Sequence, residues 1–444
     1  METLAKKLKK IDYFALSFGS IIGVGWLISS GDWLNRGAPL GAAITFFGCA
    51  LLLIPVAISY SLLMVKFPHA DAEVSYLNQI VPRKIQFIAG WSITLAYLVI
   101  CPWEAIALTE LLSKFLPNLN DQVLLKYTFG VIVLIIIWAI NIAGISVASG
   151  FQKISVYLLL GIFFIMIFQG LSLGSSKNLQ PYFTDNPMNG IIKMIQIVPY
   201  FLLGFEISAR TSEESAIPPL KRGFLVPILA SLIIAGLFYA AIILIASSLV
   251  PWGELKKIDY ATLVAFEKTS PKNIILINSI LVVTLLSLLK VLNGNFISAT
   301  RMTFSISRNE FLSKSLSRLS KNTKVPTNSL LLISGLSILG IFFGRMGLIT
   351  LAEIGSFAIS VAWFFTSIAC FIHAKQGRIV NLKLGMITGI IGSLVSFALI
   401  ATKILWFIPG HLVTTHYLVL LVWLFFGLTL YFYNEKSKKA QLAQ

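Results

Sequence analysis

Apolar residues fall into about twelve runs long enough to cross a bilayer, near 13–33, 39–64, 85–114, 127–147, 153–172, 191–211, 223–250, 273–300, 327–344, 347–373, 383–403 and 413–434. A hydrocarbon core of about 30 Å needs roughly 20 helical residues, and a helix alone satisfies its backbone groups within one segment. The pattern therefore predicts an all-α polytopic membrane protein. The polar connections are short and leave little room for a separate soluble domain.

Two of these runs are interrupted near their middles. The first contains Gly19-Ser-Ile-Ile-Gly-Val-Gly25, and three glycines in seven residues lower the cost of unwinding. The sixth contains Pro199-Tyr200-Phe201-Leu202-Leu203-Gly204-Phe205-Glu206, a proline, a glycine and a carboxylate that a plain lipid-facing helix would not carry. In hydrocarbon a break persists only where the freed amides and carbonyls find partners, so such breaks suit the gripping of a small ion or zwitterion. Broken segments at matching places in two halves predict a five-plus-five inverted repeat. Spans 1–5 (13–172) would form one repeat and spans 6–10 (191–373) the other, with spans 11 and 12 (383–434) added. Short ends precede and follow, at 1–12 and 435–444.

Composition agrees with a membrane solvent. Of 444 residues, 57% are hydrophobic and 12% charged, where soluble domains carry about 25% charged residues. The net charge of +17 could suggest nucleic acid, but its placement argues against that partner. With the N-terminus in the cytoplasm, roughly twice as many Lys and Arg fall on cytoplasmic segments as on external ones, which points instead to anionic lipid. An even number of spans then puts both termini inside a plasma membrane, as Lys436, Lys438 and Lys439 also suggest. The Lys6-Lys7-Leu8-Lys9-Lys10 start is not read as a signal peptide, because the apolar run after it is too long and lacks a small-x-small cleavage site. The basic loop Arg301–Lys324 reads as a lipid-facing cytoplasmic surface, and Pro68–Pro82 as a short interfacial helix. Cys49, Cys101 and Cys370 form no CxxC motif and read as small apolar residues.

Three motifs resemble one family. Gly19–Gly25 is similar to the G-x-I-G-x-G signature of the first helix of amino-acid permeases in the amino acid–polyamine–organocation superfamily. Gly204-Phe205-Glu206 followed by Glu213-Glu214 resembles their sixth-helix G-F-E and E-E pair. Thr300-Arg301 through Ser307-Arg308-Asn309-Glu310 resembles the R…ARDG end of the eighth helix. The resemblance covers nearly the whole chain and implies the LeuT-type fold, moving an amino acid by alternating access without a cofactor. It implies that the substrate carboxylate meets the amides of Val24 and Gly25, with Gly23 enabling the bend. The amine would meet carbonyls of Ile21, Tyr200 and Leu203, and Tyr200 would close over the substrate. Cys101 and Asn295 map to pocket positions, and Ser356 to a further one.

The chain departs from the family at Val24, at Trp26 and in its Ser-Arg-Asn-Glu eighth-helix tail. Some proton-coupled relatives carry a lysine in mid-helix 5, whereas Lys153 here is expected at the start of that helix. Lys290 lies deep in span 8, on one face with Asn293, Gly294 and Ile297. A charge at a helix centre costs roughly 2.5–3.5 kcal/mol on insertion scales, so it marks a functional candidate. One reading gives its ammonium the place where sodium-using relatives bind the ion between helices 1 and 8, as a titratable cation for proton coupling. The other gives it a structural ion pair with a carboxylate.

Other ionisable groups leave alternatives open. Glu206 caps the sixth-span break or titrates. Glu104, one turn beyond Cys101, lines the pocket, selects a cationic substrate, carries a proton or pairs with an arginine. Glu110 reads as interfacial. Glu353 pairs with Arg36 or Arg345 at an outer gate, or is simply solvated. His69, His373, His411 and His416 are expected in or near loops. With no HExxH, GxSxG or Walker A pattern, an enzyme is disfavoured. A proton-driven uptake symporter is the first expectation and a sodium-independent amino-acid or polyamine exchanger the alternative. A sensor would need a longer cytoplasmic tail, and a channel suits paired breaks less well.

Overall fold

The computed structural model describes residues 4–70, 72–115, 122–217, 223–271, 273–342 and 347–442. Within these the chain is helical. α1 (Lys10–Ile21) leads through a break at 22–24 into α2 (Gly25–Ile28) and α3 (Ser30–Leu52). Ala38 inside α3 has φ 54° and ψ 177°, a non-helical conformation whose extended ψ suits the Pro39 that follows, so the first span effectively ends there. α4 (Ile54–Lys66), α5 (Glu73–Tyr76), α6 (Arg83–Leu98), α7 (Ile100–Phe115), α8 (Val123–Ile142) and α9 (Ile145–Leu173) complete the first half.

The sixth span is three pieces: α10 (Pro187–Ile195), α11 (Val198–Leu202) and α12 (Ile207–Arg210). Then come α13 (Leu225–Leu249), α14 (Trp252–Leu255), α15 (Ala261–Thr269), α16 (Ile274–Arg308), α17 (Thr327–Ile341), α18 (Gly347–Lys375), α19 (Leu382–Ile404) and α20 (Thr414–Leu442). Ten segments among the described residues are long and apolar enough to cross a membrane. The two remaining runs of the twelve fall short for different reasons. The sixth is fragmented by its own breaks, and α17 has only 15 residues.

α1 is buried along almost its whole length, packed against α9, α13 and α16. Outward-facing positions of α8, α9, α19 and α20 carry exposed Leu, Ile, Val and Phe, as a lipid-facing ring requires. The last helix is clasped to α6 by a tryptophan pair. Trp91 Nε1 donates to the Trp423 carbonyl (2.8 Å), Trp423 Nε1 donates to the Trp91 carbonyl (3.0 Å), and the rings stack at 4.3 Å.

Both ends of the described chain lie at one face. Lys7 and Leu8 donate backbone N–H groups to the Glu214 carbonyl, and Asn434 Nδ2 of α20 donates to the Glu310 carbonyl. Arg308, two residues before Glu310, binds Glu213 at that same face.

Several expectations change. Lys153 is not at a helix start, because α9 begins eight residues earlier at Ile145, and its Nζ lies 2.7 Å from the Asp12 carboxylate. The short helix expected in Pro68–Pro82 is present as α5, with Glu73, Val74 and Tyr76 buried against the bundle. Arg301 and Arg308 do not face lipid. α16 continues to Arg308, and both arginines turn in to the Glu213-Glu214 pair. His373 and His416 lie near loops as expected, two residues from the ends of α18 and α20, but both are buried.

Candidate functional site

The break between α1 and α2 frees carbonyls that a continuous helix would have used, and three side chains collect them. Lys290 Nζ donates to the Gly19 carbonyl at 3.0 Å and also to the Ile22 carbonyl. Ser287 Oγ, one turn away on α16, donates to the Ile22 and Gly23 carbonyls (3.0 and 3.2 Å). Tyr239 OH of α13 donates to the Ile21 carbonyl at 2.9 Å, which also accepts from Gly23 N–H at 3.1 Å. Lys290 is completely buried, and Glu104 is the carboxylate whose charge acts on it. Beneath, Asn293 ties α16 to α8 and α9 through Asn141 (2.9 Å) and Gln152 (3.2 Å).

The second break faces the first. Gly204 has φ +134°, a conformation favouring glycine, and a methyl group there would lie 2.8 Å from both Ser20 C and Ile21 N. Its amide donates to Glu206 Oε2 at 3.1 Å, so Glu206 caps the break from two residues on. Ser17 Oγ binds the Phe205 carbonyl (3.0 Å) and Ser208 Oγ (2.7 Å), joining α1 to α12.

Between the breaks lies a cavity of about 20 Å³ lined by buried residues, room for about one water. Ile21, Gly23, Gly25, Glu104, Tyr200 and Leu203 line it, six of the residues that the sequence singled out. Glu206 and Lys290 flank it through the backbone. Val24, Cys101 and Asn295 do not line it. Val24 turns its carbonyl into α2, and Cys101 Sγ and Asn295 Nδ2 bond carbonyls one turn back on their own helices. Ser356, also expected there, instead donates to the Gln196 carbonyl at 3.2 Å.

The sequence reading missed Ser20, Ile100, Trp103, Phe201, Tyr239 and Val291, which complete the lining. Phe201 covers Gly25 so closely that a Cβ there would meet its ring at 2.4 Å. A tyrosine in the middle of the largely apolar α13 was the signal that could have found Tyr239. Trp103 packs edge-on against Tyr200 (5.6 Å) and also lines a larger cavity of about 260 Å³ at the face opposite the termini. Two carboxylate and phenol oxygens, Glu104 Oε2 and Tyr200 OH, are buried with no hydrogen-bond partner among the described residues.

Towards the terminal face the site is sealed. Arg210 of α12 is fully buried and donates to Glu73 (2.5 Å), Tyr97 OH (2.8 Å) and the Glu206 carbonyl (3.2 Å), while Tyr60 OH also donates to Glu73 at 2.6 Å. Below this, Arg301 binds Glu214 at 2.8 Å, and both Arg308 nitrogens bind Glu213, which also accepts from the backbone of Leu4 and Ala70. Burial alone would raise the Glu213 pKa, but the hydrogen bonds and charge of Arg308 and those two amides hold it below the usual carboxylate range. At the opposite face Arg36 Nε binds Asp32 at 2.8 Å, and Glu353 lies 4.0 Å from Arg36 and 2.9 Å from His416 Nε2. Arg345, the other expected partner of Glu353, lies outside the described residues. Glu110 pairs with Lys126 at 3.5 Å.

The chain matches the amino acid permease family over residues 8–429. It is 23% identical to the methylthioribose transporter of Bacillus subtilis over 84% of this chain and 82% of that protein. It is 21% identical to the amino-acid permease RocE of the same organism, over 86% and 84% of the two chains. The branched-chain amino acid permease BcaP of Lactococcus lactis is 22% identical, over 83% and 82%. These proteins are transporters rather than enzymes. A family match spanning nearly the whole chain, on a helical membrane fold with two broken segments lining a buried cavity, establishes that this chain belongs to the amino acid permeases of the amino acid–polyamine–organocation superfamily.

Proposed function

We propose that this permease takes up amino acids across the plasma membrane by proton-coupled alternating access, with the terminal face in the cytoplasm. The observation that carries the coupling is the Lys290 ammonium on the Gly19 and Ile22 carbonyls. A buried ammonium bound to carbonyls does electrostatically what a bound metal cation would do, and it can also release a proton. With the proton in place it holds the α1 break shut. Without it, the carbonyls lose a charged donor and the break loosens. The two halves, 13–172 and 191–373, would act as inverted repeats rocking about this centre.

The substrate carboxylate would meet the backbone at Val24 and Gly25, once Phe201 swings off Gly25. The Ile21 carbonyl is already taken by Tyr239, which favours the unpartnered Glu104 carboxylate as the receiver of the substrate amine. A cavity of about 20 Å³ is smaller than any amino acid, so the aromatic lining must move as substrate enters.

The deciding experiment is uptake into liposomes of the labelled proteinogenic amino acids and methylthioribose, with proton and sodium gradients imposed separately. Uptake driven by the proton gradient supports the proposal. A Lys290 that never releases its proton gives the second reading, sodium-independent exchange, and uptake insensitive to both gradients but dependent on internal substrate would establish it. Transport of methylthioribose alone would overturn amino-acid uptake.

A further inference from the structure

The sixth span has a second discontinuity besides the break at Gly204. In a continuous helix the Gln196 carbonyl would accept from the Tyr200 N–H, but Tyr200 bonds the Ile197 carbonyl instead (3.0 Å), and Pro199 has no N–H to offer. The Gln196 carbonyl is handed to two side chains from elsewhere. Lys403 Nζ of α19 donates to it at 2.5 Å and Ser356 Oγ of α18 at 3.2 Å. Gln196 Nε2 also donates to the Thr402 carbonyl at 2.8 Å. All three residues, Gln196, Ser356 and Lys403, are buried.

α11 is therefore a five-residue segment with a hinge at each end. It carries Tyr200 and is followed by Leu203, and with Phe201 these residues form one wall of the central cavity. One end is the glycine break at Gly204, capped by Glu206. The other is fixed by a buried ammonium at the C-terminus of α10, where helix carbonyls and dipole favour a cation. Glu353 and Arg36 are the charged groups that act on Lys403. An ammonium buried this deeply is costly unless its bonds are held, so Lys403 makes a stiff anchor.

We propose that Lys403 is a positioning residue of the transport cycle. It pins the hinge about which α11 swings, and so the added helix α19 supplies the fixed point of the gate. This rests on the alternating-access reading above.

The test uses purified full-length protein in lipid nanodiscs and liposomes, with Lys403→Met, Lys403→Arg and Ser356→Ala. Hydrogen exchange of amides in 197–204 should accelerate roughly tenfold in Lys403→Met, the scale of one lost charged hydrogen bond. It should stay near the parent rate in Lys403→Arg and rise less in Ser356→Ala, which removes a donor without touching a charge. Maximal uptake of the best-transported amino acid should fall severalfold in Lys403→Met with KM not raised, and recover in Lys403→Arg. Unchanged exchange in 197–204 overturns the pin, as does acceleration spread evenly over α1, α13 and α16. If Lys403→Met cannot be purified, Lys403→Gln, which keeps a polar donor but no charge, decides the matter, since unaltered exchange in 197–204 there also overturns the pin. A parent protein that takes up no amino acid defeats the transport reading itself, whatever the hinge does.

Discussion

Lys290 Nζ donates to the Gly19 carbonyl across 271 positions of sequence, joining the middle of α16 to the point where α1 comes apart. Replacing Lys290 with methionine keeps the side-chain bulk and removes the donor from two buried carbonyls, Gly19 and Ile22. Each orphaned carbonyl costs about 1–3 kcal/mol, although Ser287 still serves Ile22. The variant should unfold at a lower temperature in detergent, and its residual uptake should no longer respond to an imposed pH gradient. Uptake that remains proton-driven in Lys290→Met removes this residue from the coupling.

Gly204 should tolerate no side chain. A Cβ there meets the backbone of Ser20 and Ile21, which cannot rotate away, and the backbone is at φ +134°. Strain of this kind costs about 1–3 kcal/mol. Gly204→Ala should lower both thermal stability and uptake at least severalfold. Gly25→Ala offers a contrast, because its obstacle is the Phe201 ring, a side chain. The double variant Gly25→Ala/Phe201→Leu should recover folded yield, measured by size-exclusion profile, where Gly204→Ala has no such rescue.

Arg210 and Glu73 form an ion pair with no exposed surface, held by Tyr60 and Tyr97. Breaking a buried pair from one side strands a charge and costs about 3–5 kcal/mol, whereas removing both partners is often close to neutral. Arg210→Met and Glu73→Leu should each unfold well below the parent temperature. The double variant should recover most of the loss. A double variant that loses the sum of the two single losses would mean that the pair is not what holds α12 to α5.

The breaks were legible because glycine and proline act locally, and a run of apolar residues containing Gly19–Gly25 or Pro199–Glu206 declares its own discontinuity. The deep position of Lys290 was legible for the same reason, since a charge within an apolar run has few places to go. Arg210 was passed over because it stands at the end of its run, where an arginine normally reaches water. Only the fold shows that Glu73, 137 residues earlier, turns inward to meet it. Arg301 and Arg308 were misread as a lipid-facing surface because charge density says nothing about direction. Glu213 and Glu214 draw them in. The lining by Ser20, Trp103, Phe201 and Val291 depends on helix rotation, which periodicity in a uniformly apolar span does not encode.

The Arg308–Glu213 contact carries a pH dependence of definite sign. Glu213 has a lower pKa folded than the usual 4.5, because Arg308 and the amides of Leu4 and Ala70 stabilise its charged form more than burial disfavours it. A carboxylate depressed by folding stabilises the folded arrangement above its unfolded pKa, and that contribution disappears as pH falls through the folded value. The seal made by residues 4–8, Glu213 and Arg308 should therefore be intact at neutral pH and loosen only below about 4.5. Glu213→Gln should loosen it at neutral pH, since an amide cannot accept a charged bidentate contact. Hydrogen exchange at Leu4, Lys7, Leu8 and Ala70 in nanodiscs reads the seal directly. The protection factors of the parent should fall on acidification from pH 5 to 3.5, once the intrinsic slowing of exchange over that range is divided out, while Glu213→Gln should show the lower protection throughout. A seal in the variant as protected as in the parent at pH 7 would show that the backbone pairing of Lys7 and Leu8 with Glu214 suffices without the ion pair.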